Sequence, residues 1–88
     1  MANNGEREDV CRVCGYSDGT VFREGGRPTS ATCRCCGAQA GLQDTDLEQV
    51  WEVRGYWVGT GAEWLDPECR PEGWDLLRQV AGIPPGWR

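Results

Sequence analysis

The sequence predicts a small α+β fold in which two cysteine knuckles flank a β-hairpin, with two short C-terminal helices packed against them across a Trp-rich seam. Three observations carry this expectation. Five of the six cysteines fall within residues 10–40, where four of them form two C-x-x-C pairs with 18 residues between the pairs. Helix-capping signatures stand further on, at Thr45 and Asp75. All five Trp lie in residues 41–88, whereas Leu, Ile, Val and Phe together number 14 of 88 residues. A chain this short, with so few aliphatic residues, is near the size where one hydrophobic core becomes marginal and a staple is usually needed.

The chain opens on residues 1–9, with one Arg, three acids and no core candidate. Such a composition predicts a disordered leader. Residues 10–83 then read as one domain, with a ribbon over 10–40 and a helical, Trp-rich half over 41–83, followed by a Pro/Gly/Trp tail over 84–88.

In the ribbon, Cys11-Arg12-Val13-Cys14 and Cys33-Arg34-Cys35-Cys36 have the spacing of a four-cysteine zinc site. Two cysteines three apart at a tight turn aim both sulfurs at one point, and two such turns close a tetrahedral shell. Gly15 and Gly37 follow the pairs at once, and a positive φ there lets backbone N–H groups turn back toward the thiolates. Between the pairs, residues 20–23 and 29–32 read as two strands joined by a turn at Gly25-Gly26-Arg27-Pro28. Knuckle, hairpin and knuckle make a zinc ribbon. The predicted ligands are Cys11, Cys14, Cys33 and Cys36, holding one structural Zn2+, since four thiolates leave no open position for water. Iron suits the same four sulfurs. Cys35 is the alternative to Cys36 with a poorer C-x-C spacing, and Cys69 reads as a small residue of a turn-rich loop.

In the helical half, Thr45-Asp46-Leu47-Glu48 has the form of a capping box and opens a helix over 46–54 that Gly55 ends. Leu47, Val50 and Trp51 form its apolar stripe, and Arg54 falls where that stripe would continue. Asp75 caps a second helix with Leu76, Leu77 and Val80 facing inward and Gly82 at its end. Trp57, Trp64 and Trp74 read as seam residues. Trp87 reads as a candidate for partner contact.

The motifs also resemble a known family, the bacterial cysteine-rich CPCC proteins. Cys11-Arg12-Val13-Cys14-Gly15-Tyr16 is similar to that family's first knuckle, and Thr32-Cys33-Arg34-Cys35-Cys36-Gly37 to its second. Trp57-Val58-Gly59-Thr60-Gly61-Ala62-Glu63-Trp64 and Pro71-Glu72-Gly73-Trp74-Asp75 resemble its later Trp motifs, in the same order. Both knuckle prolines of the family are Arg here, at Arg12 and Arg34. The resemblance implies a scaffold of thiolates and Trp, and a role as an immunity or accessory protein near toxin systems.

Composition narrows function further. There is no His, which excludes His general bases, His nucleophile pairs and His metal ligands. The formal net charge is −5, divided as +2 over residues 10–40 and −5 over residues 41–88, with the remainder in the leader. That balance disfavours nucleic acid and anionic membranes as partners. No apolar run has membrane-spanning length, and the polar opening residues are unlike a secretory leader, so a cytoplasmic, reducing setting is expected. The leading expectation is a non-catalytic module that docks on a basic protein through Glu63, Asp66, Glu68 and Trp87. The alternative is a ribbon that binds nucleic acid or an RNA machine through Arg12, Arg23, Arg27 and Arg34. An enzyme using Glu63, Asp66, Glu68 or Asp75 is the weakest reading.

Overall fold

A computed structural model describes residues 7–88. The three antiparallel strands are very short: β1 (Arg7–Glu8), β2 (Arg23–Glu24) and β3 (Arg27–Pro28), in the order β1-β2-β3. In register, Glu8 faces Arg23 and Arg23 faces Pro28. The turn between β2 and β3 is the two residues Gly25 and Gly26, with φ of +62° and +78°, the pattern that matches strand twist in a tight hairpin. The predicted hairpin is thus corrected: its strands hug the Gly-Gly pair, and Arg27 and Pro28 lie in a strand rather than in the turn. Backbone pairing continues just beyond, where Phe22 N–H donates to Glu8 O at 2.7 Å and Thr29 N–H to Phe22 O at 2.9 Å.

Part of the expected disordered leader, residues 7–8, is instead strand β1; the expectation for residues 1–6 lies outside the described residues. β1 contributes no apolar side chain. It supplies backbone partners to β2 and the Glu8 carboxylate, which takes two hydrogen bonds from Arg12 at 2.8 and 2.7 Å.

Helix α1 spans Leu47–Gly59. Its N-cap is Asp46, one residue beyond the expected Thr45; the Asp46 side chain accepts the Gln49 amide at 2.9 Å. Gln49 Oε1 reaches back to the Thr45 amide and hydroxyl, both at 2.8 Å. The sequence offers the capping pattern in two overlapping registers, and the one with an aspartate cap forms. Gly55 does not end the helix, because Trp57 extends the inward stripe of Val50 and Val53. Burying that indole outweighs the roughly 1 kcal/mol cost of an internal Gly. The end comes at Gly61, with φ of +110°. There Ala62 N–H donates to Trp57 O and Gly61 N–H to Val58 O, a Schellman closure.

A 3-10 turn over Pro67–Cys69 is capped by Asp66, and α2 (Leu76–Val80) by Asp75, as the capping signature predicts. Leu77 is corrected: it is 75% exposed. In a one-turn helix the inward positions go to Leu76, Gln79 and Val80, and Leu77 points away from them. A single core joins the ribbon (Cys11, Val13, Cys14, Phe22, Cys33, Cys35) to the helical half (Val50, Trp57, Trp64), with Trp74, Leu76 and Trp87 packed against it. Among the described residues no helix is long and apolar enough to cross a membrane.

Candidate metal centre

Two local turns of matching geometry build the site. In the first knuckle Cys11 N–H donates to Tyr16 O and Gly15 N–H to Cys11 O, both at 2.9 Å. In the second, Cys33 N–H donates to Ala38 O at 2.8 Å and Gly37 N–H to Cys33 O at 2.9 Å. Gly15 and Gly37 hold φ of +86° and +84°, which a Cβ disfavours. At Gly15 a Cβ would also run into the Gln79 carbonyl, so that glycine is required twice over.

The turns bring Cys11, Cys14, Cys33 and Cys36 together, with the four sulfurs all within 4.8 Å of one another. The Cys11–Cys36 and Cys14–Cys33 sulfur pairs are 3.7 and 3.6 Å apart. A tetrahedral shell with metal–sulfur bonds of about 2.3 Å has edges of about 3.8 Å, so the donor set fits a tetrahedral thiophilic cation. Hydrogen bonding with Cys11, reinforced by Cys33 and by burial, pushes the Cys14 and Cys36 thiols up. Hydrogen bonds from Cys11 and Cys14 pull Cys33 down. Four clustered thiols cannot all ionise by themselves, and a divalent cation supplies the missing positive charge.

Cys35 stays outside the cluster. It is fully buried, and its sulfur accepts Gln79 Nε2 at 3.3 Å. Cys69 is also separate: its thiol donates to Asp66 Oδ2 at 3.3 Å, with Arg34 Nη1 at 3.8 Å from the sulfur.

Sequence reasoning missed the residues that bind the two halves together. Arg54, half-buried on the flank of α1, donates to the backbone carbonyls of Val13 at 2.6 Å, Arg12 at 2.9 Å and Trp87 at 2.6 Å. A cation standing in an apolar stripe was the available signal. Gln79 accepts Trp74 Nε1 at 2.8 Å while its amide nitrogen donates to Cys14 O and Cys35 Sγ, both at 3.3 Å. Trp64 meets Tyr16 and Trp74 edge-to-face, with centroids 5.1 and 5.5 Å apart. Burial, followed by the nearby Asp18, pushes the Tyr16 hydroxyl up to about 12.

The expected partner residues scatter into different roles. Glu63 and Glu68 are exposed. Asp66 is occupied as the cap of the 3-10 turn. Trp87 is half-buried, with the Arg12 guanidinium 3.8 Å above its ring. The arginine stripe of the nucleic-acid alternative is also broken up. Arg12 is paired to Glu8, and Arg23 is buried against Asp44 in a two-pronged ion pair at 2.8 and 3.0 Å. Arg27 and Arg34 remain exposed. Comparison of the chain with protein-family models, curated proteins and solved structures found no match.

Proposed function

We propose that the protein is a non-catalytic zinc-ribbon module that holds one structural zinc on Cys11, Cys14, Cys33 and Cys36 and docks on a basic protein. The observation that carries the reading is the converging set of four sulfurs, on three buried cysteines and one half-buried, which would satisfy a metal completely and leave no ligand position for substrate. Zinc suits the all-sulfur tetrahedral set without requiring redox chemistry. In its sharpest form the module is an immunity or accessory protein bound to a basic bacterial toxin, the role that the resemblance to the CPCC proteins implies.

Charge supports the sign of the partner. Four thiolates and one zinc take the formal −5 to about −7, and two ribbon arginines are already paired inside the fold. The outer side of α1 offers a docking face: Glu48 and Glu52 stand exposed beside Trp51, 51% exposed, and Tyr56, 75% exposed. Acidic groups interleaved with aromatic rings suit a basic surface that also buries apolar area.

The test begins with metal analysis of the purified protein, expected to find one zinc per chain. A basic protein recovered with a tagged copy from the native host is then purified and its association measured. The expected association rate falls as salt rises, and falls again in Glu48→Arg/Glu52→Arg protein that keeps its zinc. Zinc-loaded protein that instead binds RNA at physiological salt, and loses it on Arg27→Ala/Arg34→Ala substitution, would replace the protein-docking reading with the nucleic-acid one.

A further inference from the structure

The four clustered cysteines are not equally sheltered. Cys11 is 4% exposed and Cys14 and Cys33 are fully buried, whereas Cys36 is only half-buried. Cys36 lines a cleft of about 250 Å3 between the second knuckle and α1, shared with Val53, Tyr56, Trp57, Thr60 and Glu63. Among the described residues, this cleft brings solvent to the Cys36 side of the cluster. Charge on the sulfurs is uneven too. Cys33 Sγ accepts the Cys35 amide at 3.4 Å, which draws electron density away from that sulfur. Cys11 Sγ lies 3.7 Å from Cys36 Sγ, within a cluster whose sulfurs all stand within 4.8 Å of one another.

We propose that Cys36 is an oxidant-reactive site: a hydroperoxide entering the cleft oxidises it, Cys11 resolves the product as a disulfide, and the metal leaves. The proposal rests on the metal reading above. The Cys36 thiolate attacks the terminal peroxide oxygen, the O–O bond breaks, and hydroxide (an alkoxide for an organic hydroperoxide) departs, leaving a sulfenic acid. The Cys11 thiolate then attacks that sulfur, the S–O bond breaks, and a second hydroxide departs. Two thiolates have lost two electrons and the peroxide has gained them. Only Cys14 and Cys33 remain to hold the zinc, too few donors for a structural site. The new bond joins one knuckle to the other, so it takes over the cross-link that the metal provided. Cys35, buried and engaged by Gln79, stands outside this path.

The experiment uses zinc-loaded Cys69→Ser protein, which lacks the half-buried thiol outside the cluster, and limiting hydrogen peroxide. Zinc release is followed with a chromogenic chelator, and disulfides are mapped by mass spectrometry of unreduced tryptic peptides. Cleavage after Arg12, Arg23 and Arg34 puts Cys11, Cys14 and Cys33 on separate peptides, and fragmentation separates Cys35 from Cys36. The expected result is a first disulfide between Cys11 and Cys36, formed in step with loss of the bound zinc. Thr60→Trp protein, its cleft filled and its zinc content unchanged, should slow both events together. A first disulfide between Cys14 and Cys33, one that includes Cys35, or zinc lost while Cys36 stays reduced would each overturn the proposal. Protein that takes up no zinc fails the metal reading itself, whichever disulfide forms.

Discussion

Asp44 takes three hydrogen bonds on its carboxylate, two from Arg23 and one from the Gly41 amide at 2.8 Å, and its own carbonyl accepts Arg12 at 3.0 Å. Both partners of this ion pair are buried, Arg23 6% and Asp44 5% exposed. Burial pushes the Asp44 carboxyl up, but the Arg23 guanidinium and the Gly41 amide more than offset it and hold the group below the usual carboxylate range. A carboxyl depressed in the folded state stabilises the fold above the ordinary value of about 4, and that contribution is lost as pH falls through the depressed value. Asp44→Asn should cost about 3 kcal/mol or more, because it strands a buried guanidinium. In denaturant titrations at a series of pH values the variant should also lose part of the steep acid dependence of the parent. Equal stability at neutral pH would mean that the pair adds nothing to the fold.

At the level of elements, α1 tests the logic of its own glycines. Gly55 lies mid-helix with open space where a Cβ would go, so Gly55→Ala should stabilise the protein by about 1 kcal/mol. Gly61, at φ of +110° in the helix closure, should behave oppositely, with Ala costing about 1–2 kcal/mol. Thermal melts of the two variants should therefore shift in opposite directions. The same helix shows where a sequence stops being legible. The cysteine spacing and trailing glycines make the knuckles readable because that geometry is local, and Asp75 caps α2 because capping is local too. The extent of α1 depends on what Trp57 meets across the seam, which no window along the chain contains. Strand β1 was hidden for a related reason: its residues contribute backbone hydrogen bonds rather than an apolar pattern. Arg54 and Gln79 bind carbonyls more than forty residues away in sequence, and a polar side chain carries no mark of so distant a partner.

Across the whole molecule, polar contacts tie the cysteine cluster to both helices. Arg54 fastens α1 to the carbonyls of the first knuckle, and Gln79 fastens α2 to Cys14 and Cys35. Zinc in small metal domains contributes on the order of 10 kcal/mol, more than a core this thin supplies by itself. With the proposed zinc bound, its removal by a strong chelator should therefore dissolve both halves in one transition. Far-ultraviolet circular dichroism, reporting the helices, and near-ultraviolet signals, reporting the Trp seam, should fall at the same chelator concentration. Helical signal that outlasts the Trp signal would show that α1 and α2 stand without the metal. The charge pattern changes at this scale as well. The formal +2 of residues 10–40 is largely consumed by the Glu8 and Asp44 pairings, so the acidity of the helical half is not balanced by a basic ribbon.

The matched knuckles also set the timing of assembly. Each turn closes over six residues through its own backbone hydrogen bonds, so neither waits for the other or for the distant helices. Contacts of that span form within well under a microsecond, and a loop of about ten residues closes in roughly 10–100 ns. The encounter of one half-site with the other is therefore a search through an 18-residue spacer, whose closure cost grows only logarithmically with length. Capture of the proposed zinc would also require the thiols to lose protons, and lengthening the spacer at the Gly25-Gly26 tip should have little effect on how fast the centre assembles.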